Sequence, residues 1–265
     1  MSSDAPVRRV LLAFDNAASA PQPLATARAL IEILGGELAG LFVEDANLLR
    51  VAALPFTREV GAISGVARPI ELPDIERVLR VQAEAAKRML VELAGELSVP
   101  WSFRIERGNM LQHVLAQMTE SVAAVLVPSK LLHTPASATG PGLGRARPLA
   151  RRVFALWDRS APQTQTVAIA LRLAEAQQAT VTLIVIGNDH LPSDSPPPAL
   201  ASLLASAPPG LRMLSLPRAT AAVLARELRA AAFDVLVLSR RALGEEPGEM
   251  RALIDAVGSP VVLLG

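Results

Sequence analysis

The chain has 265 residues, 51% of them hydrophobic, and a formal net charge of +1. That length has room for two modest cores, and the near-neutral balance gives no support to a charge-driven role on nucleic acid or a membrane surface. There is no cysteine, which removes disulfides, thiolate zinc sites and cysteine nucleophiles together.

The N-terminal MSSDAPVRRV lacks the apolar centre of a signal peptide, and no apolar run approaches the roughly 18 residues of a membrane span. The expectation is a soluble, cytoplasmic protein. Residues 10–14 form a near-continuous apolar run, as a strand buried on both faces requires, and Asp15 and Asn16 close it. Leu24, Ala27, Ile31 and Leu34 then recur at helical spacing until Gly35 and Gly36 end the helix. Residues 38–43 read as a second strand. The connection over 44–73 is too apolar for a solvated linker and is expected to cover part of the sheet.

Residues 74–97 carry the strongest helical pattern, with Asp74 as N-cap and Ile75, Val78, Leu79, Met89, Leu90 and Leu93 as its apolar stripe. A strand over 101–106, a helix over 110–119 and a buried strand over 122–127 follow. Residues 128–152 hold four Pro, three Gly and five Lys or Arg without an amphipathic pattern, and read as loop and linker. Beyond it come a strand at 153–156, a helix at 166–178 and a further strand. The Pro- and Ser-rich stretch 187–210 reads as loop with one short helical turn. Strands at 211–216, 235–238 and 260–264 alternate with helices at 220–232 and 249–257.

One pattern occurs twice. VRRVLLAFDN, PLATARALIEILGG and ELAGLFVED are matched by ARRVFALWDRS, TVAIALRLAEAQQ and ATVTLIVIG. A period of about half the chain implies two copies of one domain rather than a solenoid. Strand–helix–strand units build parallel sheets, which bind ligands at the carboxyl ends of their strands. The fold class is therefore α/β: two tandem domains, each a parallel sheet flanked by helices. The boundaries fall at 1–147, with loop or linker over 129–150, and 148–265. The first domain is expected to lack its last helix and strand.

The order of elements, the aspartate ending strand one and the phrase LFVEDANLLRVAALPFTREV resemble the universal stress protein family in its tandem-domain bacterial form, with its Rossmann-type topology. WDRS at 157–160 is similar to that family's D-G-S after strand one, with Arg159 replacing Gly, and the terminal SPVVLLG to its closing strand. The resemblance implies a stress-response binding or regulatory module, frequent homodimerisation and, in one branch, ATP binding. In that branch the aspartate after strand one and a backbone group of strand two hold the adenosine, and a G-x2-G-x9-G-[S/T] motif after strand four holds the phosphates. Small residues let backbone N–H groups close on an anion there.

Carried over, the resemblance places an adenosine contact at Asp15 with Val43, and a weaker one at Asp158 with Ser160. Gly140, Gly142 and Gly144, with Arg145 and Arg147, offer an anion loop in the first copy, but no amphipathic helix follows to supply a dipole, and a basic linker is the favoured reading. In the second copy Gly248, Gly258 and Ser259 match the motif on paper. However, Gly258 and Ser259 directly precede the last strand, and Glu245, Glu246 and Glu249 crowd the helix start, with Arg240 and Arg241 offsetting some of that charge.

His113, His133 and His190 lie in different segments without a metal-ligand pattern, and no serine stands in a nucleophile elbow. Glu44 and Asp45 are an acidic pair at a strand end, read as a solvated turn. The leading expectation is a module without catalytic turnover, with a degenerate ATP site and no resident cofactor or metal. Its partners would be a second copy or a regulatory protein, reached through the apolar 47–64 segment or an open sheet edge of the first domain. The alternative is an adenine-nucleotide-binding protein with slow ATPase activity, using Asp15, Val43 and the 140–144 loop.

Overall fold

β1 (Arg9–Phe14) sends its side chains alternately into two apolar layers. Val10, Leu12 and Phe14 enter one, Leu11 and Ala13 the other. A strand covered on both faces needs apolar residues at every position, which is why its sequence shows no alternation. The computed structural model describes residues 8–15, 21–60, 65–118, 122–127, 152–157, 164–186, 198–205, 207, 210–216, 220–231, 233–240, 242, 247–257 and 259–265.

In chain order, β1 is followed by α1 (Pro21–Leu34), β2 (Glu37–Asp45), α2 (Ala46–Ala52), β3 (Arg58–Val60) and β4 (Ala67–Pro69). Next come α3 (Leu72–Leu97), β5 (Trp101–Gly108), α4 (Met110–Gln117) and β6 (Val122–Val127). The second half holds β7 (Arg152–Trp157), α5 (Thr164–Gln177), β8 (Thr180–Ile186), α6 (Pro198–Ala205) and β9 (Arg212–Leu216). It closes with α7 (Ala221–Ala231), β10 (Val235–Ser239), α8 (Pro247–Ala256) and β11 (Val261–Leu264).

Nine strands form one sheet in the order β5-β2-β1-β6-β11-β10-β7-β8-β9. From either outer edge inward the order is third, second, first, fourth strand of that half, so the sequence repeat is also a repeat of topology. Neighbours are parallel everywhere except at the seam, where β6 and β11 pair antiparallel from Val127↔Val261 to Ala124↔Leu264. The first half contributes four strands among the described residues, and β11 of the second half lies beside its fourth. β6 is thus paired on both sides, and the open edge expected of the first domain is β5, the outermost strand on its side among the described residues. The expected linker at 129–150 lies outside the described residues.

Helices cover both faces. α1, α3, α5 and α6 pack on the layer containing Val10, Leu12 and Phe14, and α4, α7 and α8 on the other. α1 also rests on α5, so the two halves meet through helices as well as strands. α3 buries Leu79, Ala83, Ala86, Leu90, Leu93 and Ala94, a stripe at spacings of three and four. Its start differs from the sequence expectation. Pro73 occupies the first turn, where its missing N–H costs nothing, so the helix begins earlier and Asp74 lies inside it, paired with Arg77 at 2.8 Å. Val78, expected in the stripe, is exposed.

The 44–73 connection also differs. Asp45 caps α2 by accepting from the Asn47 N–H at 2.8 Å, and only Leu49 and Ala52 of that helix are buried. β3 and β4 form a separate antiparallel hairpin. Phe56, with φ of 69°, is 97% exposed, so this segment stands outward more than it covers the sheet. In the Pro-rich 187–210 stretch the expected single turn is the two-turn α6, held by the fully buried Leu200.

Candidate functional site

In each half the chain lays strand two on one side of strand one and strand four on the other. The crevice this opens lies outside the carboxyl ends of β1 and β6, and again outside those of β7 and β10. Asp15 forms a bend directly after β1 and is half-buried. The register pairs Phe14 with Phe42, so Asp15 follows β1 where Val43 continues β2. The Val43 side chain is buried with Leu41 and Met110, which leaves its backbone as the group it can offer a ligand. Sequence reasoning paired these two residues, and the register brings them to neighbouring strand ends.

Gly140, Gly142, Gly144, Arg145, Arg147, Asp158 and Ser160 lie outside the described residues, as do Arg241, Glu245, Glu246, Gly258, His133 and His190. Trp157, immediately before Asp158, ends β7. Its indole Nε1 is buried and has no hydrogen-bond partner among the described residues. The Gln177 side chain, at the end of α5, is likewise buried, with neither its oxygen nor its nitrogen paired among the described residues.

At the carboxyl end of β10, Arg240 is tied across the seam. Its backbone N–H donates to the Leu264 carbonyl at 2.9 Å and its Nη1 to the Met118 carbonyl at 3.2 Å. It therefore serves the last turn of α4. Ser259 Oγ donates to the Phe233 carbonyl at 2.7 Å, two residues before β11 starts. Ser259 thus leads into a strand and stands at no helix N-terminus. Gly248, by contrast, lies exposed in the first turn of α8. Beside it, Glu249 accepts through Oε2 from the Ala221 N–H at 2.7 Å, so one carboxylate serves the starts of both α7 and α8. This cap was not foreseen; only the acidic residue at a helix start hints at it.

A second polar cluster lies at the ends of β2 and β5. Arg107 reaches Glu44 at 3.1 Å and Glu76 at 3.6 Å, while His113 Nδ1 faces Glu106 at 3.0 Å and Nε2 faces the Arg107 carbonyl at 3.3 Å. His113 packs so closely on Gly108 that a Cβ there would strike its ring. Glu44 is therefore paired and Asp45 is a cap, where the sequence suggested a solvated turn. Exposed pairs of this kind contribute little stability each. Among the described residues no group of three or more His, Asp or Glu could hold a metal ion, and no helix is long and apolar enough to cross a membrane.

No protein-family model matches the chain, and no curated protein does. Solved structures similar to it include a universal stress protein from Archaeoglobus fulgidus DSM 4304, at 10% identity over 97% of this chain and 95% of that one, with a TM-score of 0.49. A protein of the universal stress protein family from Burkholderia pseudomallei is 14% identical over 43% of this chain and 95% of its own, with a TM-score of 0.28. A universal stress protein in complex with cAMP is 13% identical over 44% of this chain and 97% of its own, with a TM-score of 0.35.

Proposed function

We propose that the chain is a universal-stress-protein-like binding and regulatory module of the stress response, acting in the cytoplasm without catalytic turnover. Its units are 1–147 and 148–265, and its adenine-nucleotide phosphate site has degenerated. The observation that carries this reading is Ser259. Ser259, which with Gly258 matches a phosphate motif in the second unit, leads into β11 and donates its hydroxyl to the Phe233 carbonyl. At the nearest helix start Glu249 already supplies a carboxylate, which stabilises the helix dipoles and repels a phosphate. Its partners are a second copy and a regulatory protein, met through surface rather than through a reactive centre.

One observation favours a second reading. The β1–β2 register ends at Phe14↔Phe42, so Asp15 and Val43 are the next residues on neighbouring strands, which supports an adenosine contact there. On that reading the chain binds an adenine nucleotide through Asp15 and Val43, takes the phosphates on the Gly140–Gly144 loop, and hydrolyses ATP slowly.

Thermal unfolding with excess Mg-ATP, ADP and AMP separates the two. Ligand at about 100 times its Kd stabilises the folded state by roughly 2.7 kcal/mol. In a folding unit of this size that raises Tm by roughly 5–10 °C. We expect no shift at millimolar nucleotide. A shift of that order with ATP, abolished in Asp15→Ala, would replace this reading with the nucleotide-binding one.

A further inference from the structure

β5 is the outermost strand of the sheet on the side of the first half, and it pairs with β2 along its whole length, Trp101↔Leu38 through Gly108↔Asp45. It is therefore a long, regular edge, with no partner strand on its outer side among the described residues. Such an edge presents a row of backbone donors and acceptors to another strand. Its side chains follow the register. Trp101, Phe103, Ile105 and Arg107 lie on the face of Leu38 and Phe42, and Ser102, Arg104 and Glu106 on the opposite face with Ala39, Leu41 and Val43. Trp101 is 44% and Ile105 49% exposed.

We propose that β5 is a homotypic docking edge. Two copies of this chain pair their β5 strands antiparallel about a two-fold axis at Ile105, joining two sheets into one. The charge sequence selects both the partner and the register. Along a strand, alternate residues turn their backbone groups outward, so a two-fold antiparallel pair sets residues of like parity opposite each other. An axis at Arg104 places Arg104 against Arg104, and an axis at Glu106 places Glu106 against Glu106; like charges directly opposite are destabilising. An axis at Phe103 pairs only residues 101–105.

The axis at Ile105 pairs Ser102 through Gly108. It sets the two Ile105 side chains together and brings Arg104 of each copy opposite Glu106 of the other. Arg104 is exposed and engages no hydrogen bond or ion pair within its own chain among the described residues, so it is available for this role. The opposite edge, β9, has the sequence RMLSL, with Arg212 and no acid, and cannot complement itself in this way. The pairing is independent of nucleotide binding and stands whichever reading of Asp15 holds.

Sedimentation velocity of the full chain across the micromolar range tests this, with circular dichroism melts to check that each variant folds. The parent is expected to dimerise. Arg104→Glu and Glu106→Arg should each weaken the dimer by about tenfold or more, because two symmetric attractions become two repulsions. The double exchange should restore it. Since Glu106 also faces His113, Ile105→Lys supplies a second break that touches no intrachain pair and should likewise yield monomer. A parent that stays monomeric, which leaves the edge bare or reserved for another protein, overturns the proposal. So does a dimer indifferent to these exchanges, or one that the double exchange fails to restore.

Discussion

Gly40 shows how a single hydrogen atom can be a packing decision. It lies in the middle of β2, where a Cβ would come within 2.5 Å of the Phe103 ring and 2.7 Å of a Leu90 methyl group. Phe103 crosses β2 only because that position has no side chain, and the ring then lies in the layer with α3. Gly40→Ala is expected to destabilise the protein by about 1–3 kcal/mol through overpacking. Gly248→Ala is the control: nothing lies within 4 Å of its added methyl, so it should be neutral or slightly stabilising. Urea unfolding of the two variants checks this, and equal stability would contradict the packing. ELAGLFVED announces a strand plainly, but no residue in it announces the ring that lies over Gly40. The same separation governs the candidate site. Asp15 and Val43 were legible as strand-end residues, whereas their adjacency is a property of register.

At the scale of elements, the carboxylate of Glu249 joins two helices by accepting from the first turn of α7 while belonging to α8. Glu249→Ala is expected to cost about 0.5–2 kcal/mol, the range for losing a cap, and Glu249→Gln less because an acceptor oxygen remains. Thermal or chemical melts read this directly, and an unchanged midpoint in the alanine variant would show the cap to be idle. The long helices and buried strands were legible because many residues vote for one periodicity: the α3 stripe repeats over six buried positions. Short elements give few such votes. α2 follows a cap at Asp45 but offers only Leu49 and Ala52 to the core, and the β3–β4 hairpin is too brief to alternate. α6 sits in a Pro- and Ser-rich stretch whose composition speaks for loop. Its helix exists because Leu200 finds a buried seat, which is tertiary context overriding local preference.

For the whole molecule the defining feature is the seam. Two strand–helix repeats, each parallel within itself, are joined into one sheet because β11 runs antiparallel beside β6. The repeat and its half-chain period were visible in the sequence. The sharing of β11 was not, since sheet neighbours across a pseudo-symmetric join leave no local trace. The consequence is that β6 is paired on both sides, and among the described residues the outer edge of the first half is β5. The absence of cysteine from the chain makes the seam directly testable. Val125 and Leu263 are register partners across it, so thiols placed there lie within the reach of a disulfide. Val125→Cys with Leu263→Cys, oxidised and run on a non-reducing gel, should give a monomer with an internal disulfide that migrates faster than its reduced form. Thiols that stay free in the folded protein, or that link two chains instead of one, would contradict the shared sheet.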